Sequence, residues 1–367
     1  MLHFIRKALV CAGLILLPAG AVSETLRIGA LVCLSGECAE WGSNSLKGIE
    51  LAAAELNARG GVLGQKVEIV AEDTAEGEGG AGAVTAFQNL SNKRDIHFYI
   101  GPSWTTGGLS VAPIVARRKG IIMTSPSLGV AEFNEAAPHL FNTWPHDEYA
   151  TKAMARYASE QGWRRGAIFS SQQPWESLQG NTFEAEFKQL GGIIASKQEP
   201  VPSILDLRTE VLRLIKQDPE FIFLCNFNQM GIGAKQLRVQ GYKGPLLAIL
   251  MDESRIKSAG DALDGTIFAR YPDPDLGFVQ QFKIKFGESP GVTADTAYDT
   301  LHLYAKAIAQ VGSLEIEKVQ AALLNMTHKG ASGEIVFDSK GGVRKDPVLY
   351  QVKGTKMMPF QPSERGS

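Results

Sequence analysis

The chain has 367 residues, 44% hydrophobic and 21% charged, with 37 Lys plus Arg against 39 Asp plus Glu and a formal net charge of -2. That length is enough for about two domains, and the composition excludes disorder, collagen and coiled coil as descriptions of the whole. The balanced charge argues against a nucleic-acid binder, which carries a basic excess, and against a polybasic membrane-surface protein.

The chain opens with Arg6 and Lys7, an apolar run from Ala8 to Leu17, then Pro18 and the small residues Ala19 to Ser23. This order predicts a secretory signal peptide over residues 1–23, cleaved before Glu24. The apolar run is too short for the ~20 residues of a spanning helix, and Cys11 lies inside it rather than at a lipoprotein cleavage position. Without Arg6 and Lys7 the mature chain keeps 35 basic against 39 acidic residues, a net charge near -4.

Strand and helix then alternate. Leu26–Val32 reads as a strand, and Ser43–Ala58 as a helix with Leu46, Ile49, Ala53 and Leu56 on one face, stopped by Gly60-Gly61. A strand over Val67–Asp73, a helix over Ala83–Lys93, a strand over His97–Gly101, a helix over Leu109–Arg117 and a strand over Ile121–Pro126 complete a βαβαβαβ series, the pattern of a parallel sheet covered on both faces. A second series follows Thr143-Trp144-Pro145. Asp147 and Glu148 are expected to cap a helix through Tyr157. Next come a strand at Gly166–Ser171, a helix carrying Phe183, Phe187 and Leu190, a strand at Gly192–Val201 and a helix at Asp206–Lys216. A strand at Phe221–Phe227, a helix at Gly231–Gln240 and a strand at Pro245–Leu250 end the series. Beyond Tyr271-Pro272-Asp273-Pro274 lie helices at Leu276–Phe286, Ala294–Val311 and near Glu315–Asn325, and strands near Gly333–Asp338 and Val348–Lys353. The fold class is therefore α/β with two such units, and residues 143–146, 271–274 and Asp338–Gly342 are candidate crossings between them.

Of the four cysteines, Cys33 and Cys38 either bridge in an oxidising compartment or stay as two small core thiols; geometry decides. No CxxC or HExxH is present, so no metal set is expected. Gly77-Glu78-Gly79-Gly80-Ala81-Gly82 matches G-x-G-x-x-G between a strand and a helix. It follows the second strand rather than the first, and Asp73, Glu76 and Glu78 would repel a pyrophosphate, so an acidic loop is the better reading and no cofactor is expected. No nucleophile elbow, P-loop or telling Ser/His/Asp arrangement occurs, which argues against an enzyme.

The chemistry concentrates at strand C-terminal ends, where open α/β sheets bind ligands. Trp41 follows the first strand. Gly101-Pro102-Ser103-Trp104-Thr105 opens a helix after the third, and Ser127-Leu128-Gly129 follows the fourth. In the second unit Trp175, Phe227 and Asp252 follow strands. Helix starts with free N–H groups suit a carboxylate, and aromatic rings supply flat apolar walls. Each residue alone could as well be a cap or a core aromatic; their shared location favours a site.

Several stretches carry a resemblance. Ile28-Gly29-Ala30 with Leu34-Ser35-Gly36, Gly48-Ile49-Glu50-Leu51-Ala52, Asn57-Ala58-Arg59-Gly60-Gly61-Val62-Leu63-Gly64, Glu72-Asp73-Thr74, Ile100-Gly101-Pro102, Val111-Ala112-Pro113, Ser125-Pro126-Ser127 and Tyr298-Asp299 run in order along nearly the whole mature chain. In these the chain resembles the type I periplasmic binding proteins of the branched-chain amino-acid (leucine/isoleucine/valine) family. The resemblance implies two doubly wound parallel-sheet lobes joined by three crossings: residues 24–143 plus 272–340, and residues 144–271 plus 341–367. It implies a periplasmic, monomeric solute-binding protein that closes about its hinge on a small molecule and delivers it to an ABC permease with its ATPase. The ligand would be an amino acid, an aromatic carboxylate or a small amide. By position, Thr105 would meet the ligand carboxylate and Ser127 would supply a backbone contact. Trp41 and Trp175 stand where the pattern has Tyr and would sandwich the ligand, with Trp104 adding a flat face. Asp252 or Glu253 would meet an ammonium, and Gly129 replaces a Thr of the pattern. A sensory receptor of the same fold and a secreted α/β enzyme are the alternatives; turnover or nicotinamide binding would mark the latter.

Overall fold

The computed structural model describes residues 25–76 and 79–362; the expected signal peptide and the first two residues of the glycine loop lie outside them. The first sheet takes β1 (Thr25–Val32), β2 (Lys66–Asp73), β3 (Ile96–Ile100), β4 (Ile122–Ser125) and β5 (Leu140–Asn142) in the order β2-β1-β3-β4-β5. Every pairing in it is parallel. The connections hold α1 (Ala39–Ala58), α2 (Ala81–Ser91), α3 (Thr105–Val115) and the single turn α4 (Ala131–Asn134).

After β5 the chain crosses to the second sheet through α5 (Glu148–Glu160). Strands β6 (Arg165–Phe169), β7 (Ile193–Gln198), β8 (Phe221–Leu224), β9 (Leu246–Ile249) and β10 (Ile267–Arg270) alternate with α6 (Pro174–Gln189), α7 (Arg208–Ile215), α8 (Met230–Val239) and α9 (Glu253–Ala259). The chain then returns. α10 (Leu276–Phe286), α11 (Ala294–Val311), α12 (Ile316–Leu324) and the hairpin of β11 (Thr327–Gly330) and β12 (Gly333–Val336) pack on the first unit. Finally β13 (Val348–Lys353) and β14 (Lys356–Pro359) add to the second sheet, giving β14-β13-β10-β9-β8-β6-β7 with antiparallel pairing at β13 and β14.

Both sheets are covered on both faces, so central strands are wholly apolar rather than alternating. In β8, Phe221 and Phe223 point into one core with α5 and α6, while Ile222 and Leu224 point into the other with α7 and α8. In the first unit Ile28, Ala30 and Val32 face α1 and α11, and Leu31 joins Tyr99 and Met123 against α2 and α3. α11 is bound into that unit closely. Its Tyr304 hydroxyl donates 2.7 Å to the Tyr99 carbonyl and lies 2.8 Å from the Thr124 hydroxyl. Gly48 lets α1 approach, since a Cβ there would lie 2.0 Å from the Ala294 carbonyl oxygen.

Four differences from the sequence expectations matter. α1 begins at Ala39, so Trp41 lies in its first turn rather than in a loop. β8 ends at Leu224, and Phe227 sits in a 3-10 turn. The Asp338–Gly342 turn is held on the first unit, where the Gly341 carbonyl accepts from the Asn142 amide and Phe337 bridges to Val343; the third crossing is thus residues 344–347. Asp147 occupies the N-cap position of α5, but its side chain makes no cap hydrogen bond. Cys33 and Cys38 are joined as a disulfide, Cα to Cα 5.7 Å, at the end of β1.

Candidate functional site

One cavity of about 460 Å³, its open mouth included, lies where the strand ends of the two units meet. Seven of the eight expected site residues line it: Trp41, Trp104, Thr105, Ser127 and Gly129 from the first unit, Trp175 and Phe227 from the second. Their convergence follows from topology, because parallel strands connected by helices deliver all their C-terminal loops to one edge. Trp41 and Trp175 do not meet ring to ring. Phe227 stands between them, edge-on to each at 5.7 Å. The Trp41 indole Nε1 is buried and has no partner among the described residues.

The eighth residue, Asp252, does not line this cavity; it lines an adjoining open crevice, about 2290 Å³ with the solvent at its mouth included, that shares Trp41 and Leu250 with it. Its carboxylate accepts from the Arg255 amide at 2.8 Å and the Ser254 hydroxyl at 2.9 Å, capping α9, and is paired with the Arg255 guanidinium. Arg255 also donates 3.1 Å to the Phe227 carbonyl and lies 3.4 Å from the centroid of that ring. Asp252 thus caps α9 and pairs with Arg255, in the neighbouring crevice rather than in this cavity. Glu253, its neighbour, lines the same crevice.

The acids that do line the cavity are Asp147 and Glu176. Asp147 accepts the Trp144 indole N–H at Oδ1 and the Trp175 indole N–H at Oδ2, both at 2.8 Å. Its amide donates 2.8 Å to the Gly129 carbonyl. Gly129 must be bare: a Cβ there would stand 1.8 Å from Asp147 Oδ2. The carboxylate of Asp147 thus fills the space that a side chain at residue 129 would take. Burial pushes Asp147 up to about 7, against the downward pull of the two indole donors. Burial likewise raises Glu176 to about 7, opposed by the Ser171 hydroxyl, the Asn228 amide and Arg255; Glu176 Oε1 accepts the Asn228 N–H at 3.2 Å.

A third buried acid closes the start of α3. Glu76 Oε1 accepts the Ser103 N–H at 2.9 Å and the Thr74 hydroxyl at 2.6 Å, and Oε2 accepts the Trp104 N–H at 2.7 Å. Burial raises it to about 7 despite these donors. Gly107 is bare to admit it, since a Cβ would lie 2.2 Å from Oε2. Ser127 donates its hydroxyl to the Ser103 carbonyl at 2.6 Å, and its own N–H is taken by the Ser125 hydroxyl at 3.2 Å. The amides of Ser103, Trp104 and Ser127 are therefore occupied by the chain itself, while Thr105, the residue expected to meet a carboxylate, lines the cavity at the start of α3. The glycine loop packs as well: Gly80 faces Ser110 on α3, where a Cβ would lie 1.8 Å from its hydroxyl.

Asp147, Glu176 and Glu76 were the residues sequence reasoning missed as site residues. An acid beside a helix start reads as a cap, and only the tertiary fold brings Trp175 to Asp147 across 28 positions. The pair Trp144 and Asp147, three residues apart beside Gly129 in space, was the available signal. Among the described residues no group of His, Cys, Asp and Glu could hold a metal ion, and no helix is long and apolar enough to cross a membrane.

Two doubly wound units with one cavity between their strand ends define a bilobal ligand-binding architecture. Residues 25–356 match the family model described as periplasmic binding protein, and the chain belongs to that family. It is 23% identical over 341 residues to the leucine-, isoleucine-, valine-, threonine- and alanine-binding protein of Pseudomonas aeruginosa, with 90% of each chain covered. The fold superposes with a TM-score of 0.83 on a leucine binding protein of Thermotoga maritima, at 23% identity over 92% of this chain and 98% of that one. It also superposes with a TM-score of 0.80 on an ABC-transporter solute binding protein of Rhodopseudomonas palustris in complex with 3,4-dihydroxybenzoic acid, at 22% identity over 92% and 96%.

Proposed function

We propose that this protein is the exported, periplasmic solute receptor of an ABC importer, holding a small molecule in the cavity between its units and releasing it to a permease driven by a partner ATPase. The observation that carries this is the cavity itself, whose wall is shared between the units: Trp41 of the first meets Phe227 of the second at 5.7 Å, and Asn228 donates 3.0 Å across to Glu37. Ligand contacts to both walls favour the closed form over the open one, the hinge closure established for this class of protein. The lobes are residues 25–143 with 272–343 and residues 144–271 with 344–362. The leader-like pattern of residues 1–23 supports export, and the protein acts as a monomer that binds without turnover. The ligand is a solute of amino-acid size with an apolar or planar body, matched to the aromatic wall. Titration calorimetry against a broad library of amino acids, amines, amides and acids, with small-angle scattering on any binder, tests this. Saturable binding with compaction is expected; saturation with no change of radius would refute hinge closure.

A further inference from the structure

We infer that the cavity is built for an organic cation without a carboxylate, an amine or quaternary ammonium with a compact apolar or planar body. The inference rests on reading the cavity as the solute site and sharpens it.

Much of the donor capacity an anion would need in this wall is already taken, Thr105 at the start of α3 being the hydroxyl that remains on it. Helix N-termini are the ready anion sites of such folds, and three helices begin here: α3 at Thr105, α5 at Glu148 and α6 at Pro174. The approach to α3 already holds Glu76 on the Ser103 and Trp104 amides. The first amides of α6, at Trp175 and Glu176, both donate to the Gln173 side chain at 2.9 and 3.3 Å. At α5 the neighbouring group is the Asp147 carboxylate. Among the described residues no Lys, Arg or His lines the cavity. The nearby Arg255 is committed to Asp252 and to the Phe227 ring and carbonyl. A second carboxylate brought into this space would face Asp147 and Glu176 with nothing to balance it.

A cation finds the opposite. An ionised carboxylate accepts about four hydrogen bonds, and Asp147 accepts two from the indoles, so it retains acceptor capacity on a residue that lines the cavity. Glu176 lies in the same wall. Beside the polar Thr105, Ser127, Gln173 and Asn228 the wall carries three indoles and a phenyl ring, Trp41, Trp104, Trp175 and Phe227, whose negative faces attract ammonium groups most strongly when water is excluded. Buried carboxylates with no cationic side chain beside them in the wall lack a counter-charge, and an ammonium ligand supplies it.

Matched probes that share a body and differ in charge decide this: leucine, 3-methylbutylamine and 4-methylpentanoate; phenylalanine, phenethylamine and 3-phenylpropanoate; and phenyltrimethylammonium. Calorimetry on the whole mature protein should show at least one amine or the quaternary ion binding about tenfold or more tighter than its amino acid, and no heat from the acids. Glu176→Gln, which keeps the oxygen that accepts from Asn228, should weaken that cation by about tenfold or more, a larger loss than for any neutral ligand. An acid or amino acid that outbinds its matched amine overturns the inference and leaves the solute site standing. No binding by any cation overturns it too, and silence from every charge class removes the solute site with it. If Glu176→Gln does not fold, the matched panel on the unaltered protein decides alone.

Discussion

Gly129→Ala probes how the cavity wall is assembled. The new methyl would lie 1.8 Å from Oδ2 and 2.1 Å from Cγ of Asp147, against the roughly 3.5–4 Å of an ordinary carbon contact. Asp147 is pinned on its far side by two indole N–H groups at 2.8 Å, so it cannot retreat and keep both bonds. Overpacking costs about 1–3 kcal/mol, and a lost hydrogen bond to a charged acceptor about 1.5–3 kcal/mol; the variant should lose about 3 kcal/mol. Asp147→Ala removes the obstructing carboxylate and strands two buried donors, each costing about 1–3 kcal/mol. In that background Gly129→Ala should cost about 1 kcal/mol or less, a coupling of about 2 kcal/mol between the two positions. Urea denaturation of the four proteins measures the cycle, and the indole N–H resonance of Trp175 reports directly on its bond to Asp147. Additivity to within about 0.5 kcal/mol, with an unmoved Trp175 resonance in Gly129→Ala, would refute the account of this wall.

Asp252→Asn should leave ligand affinity unchanged, because the residue lies outside the cavity, while the loss of its buried pair with Arg255 lowers stability by about 3–5 kcal/mol; calorimetry and denaturation on one sample separate the two. Replacing Cys33 and Cys38 together by Ser opens a loop of sequence separation 5 and should cost about 2 kcal/mol on the loop-entropy relation, read as a lower urea midpoint. Glu76, Asp147 and Glu176 each have a folded-state pKa raised to about 7, so the folded protein holds more protons than the unfolded chain between their ordinary values and about 7. Their stabilisation is therefore present at low pH and lost as pH rises through about 7. The groups that face them are Thr74 and the Ser103 and Trp104 amides for Glu76, Trp144, Trp175 and Tyr271 for Asp147, and Ser171, Asn228 and Arg255 for Glu176. The ligand-free protein should be more stable to urea at pH 5.5 than at pH 8, whereas cation affinity should move the other way; a urea midpoint that climbs from pH 5.5 to 8 would contradict this assignment.

The fold was legible in the sequence because buried parallel strands read as unbroken apolar runs, and Phe221–Leu224 shows that in four residues. α10 and α11 lie at the residues expected of them, since amphipathic periodicity over 11 and 18 residues leaves little room for error. The strands β5, β10, β11 and β14 were not legible: each is short and interrupted by a polar or charged residue, such as Asn142, Arg270, Lys329 and Lys356, so none reads as an apolar run. In the site, strand-end position brought Trp104, Ser127 and Trp175 forward, because topology sends every such loop to one edge. The charges were read less well. Asp252 precedes a helix and does cap it, while Asp147 precedes a helix and does not; locally only Trp144 separates them, and the second indole on Asp147 comes from Trp175, 28 residues on. Glu76, inside the glycine-rich stretch, looked like solvated loop and is instead buried against the α3 amides.

The return of α11 to the first unit bears on the order in which the chain can fold. β1 to β5 lie within residues 25–142, yet the face carrying Ile28, Val32 and Phe98 is completed by Leu301, Tyr304 and Ile308. A chain that emerges amino end first has its opening sheet ready long before the helix that covers one side of it. In the meantime β6 to β10, with α5 to α9 between residues 148 and 270, are all present and can close among themselves. The second unit, lacking only its edge strands β13 and β14 with Tyr350 and Val352, is thus nearer completion although it is made second, and the opening sheet waits with one apolar face covered by α1 alone. Cutting the chain after residue 275 should accordingly yield an aggregating first unit, not half of a binding protein.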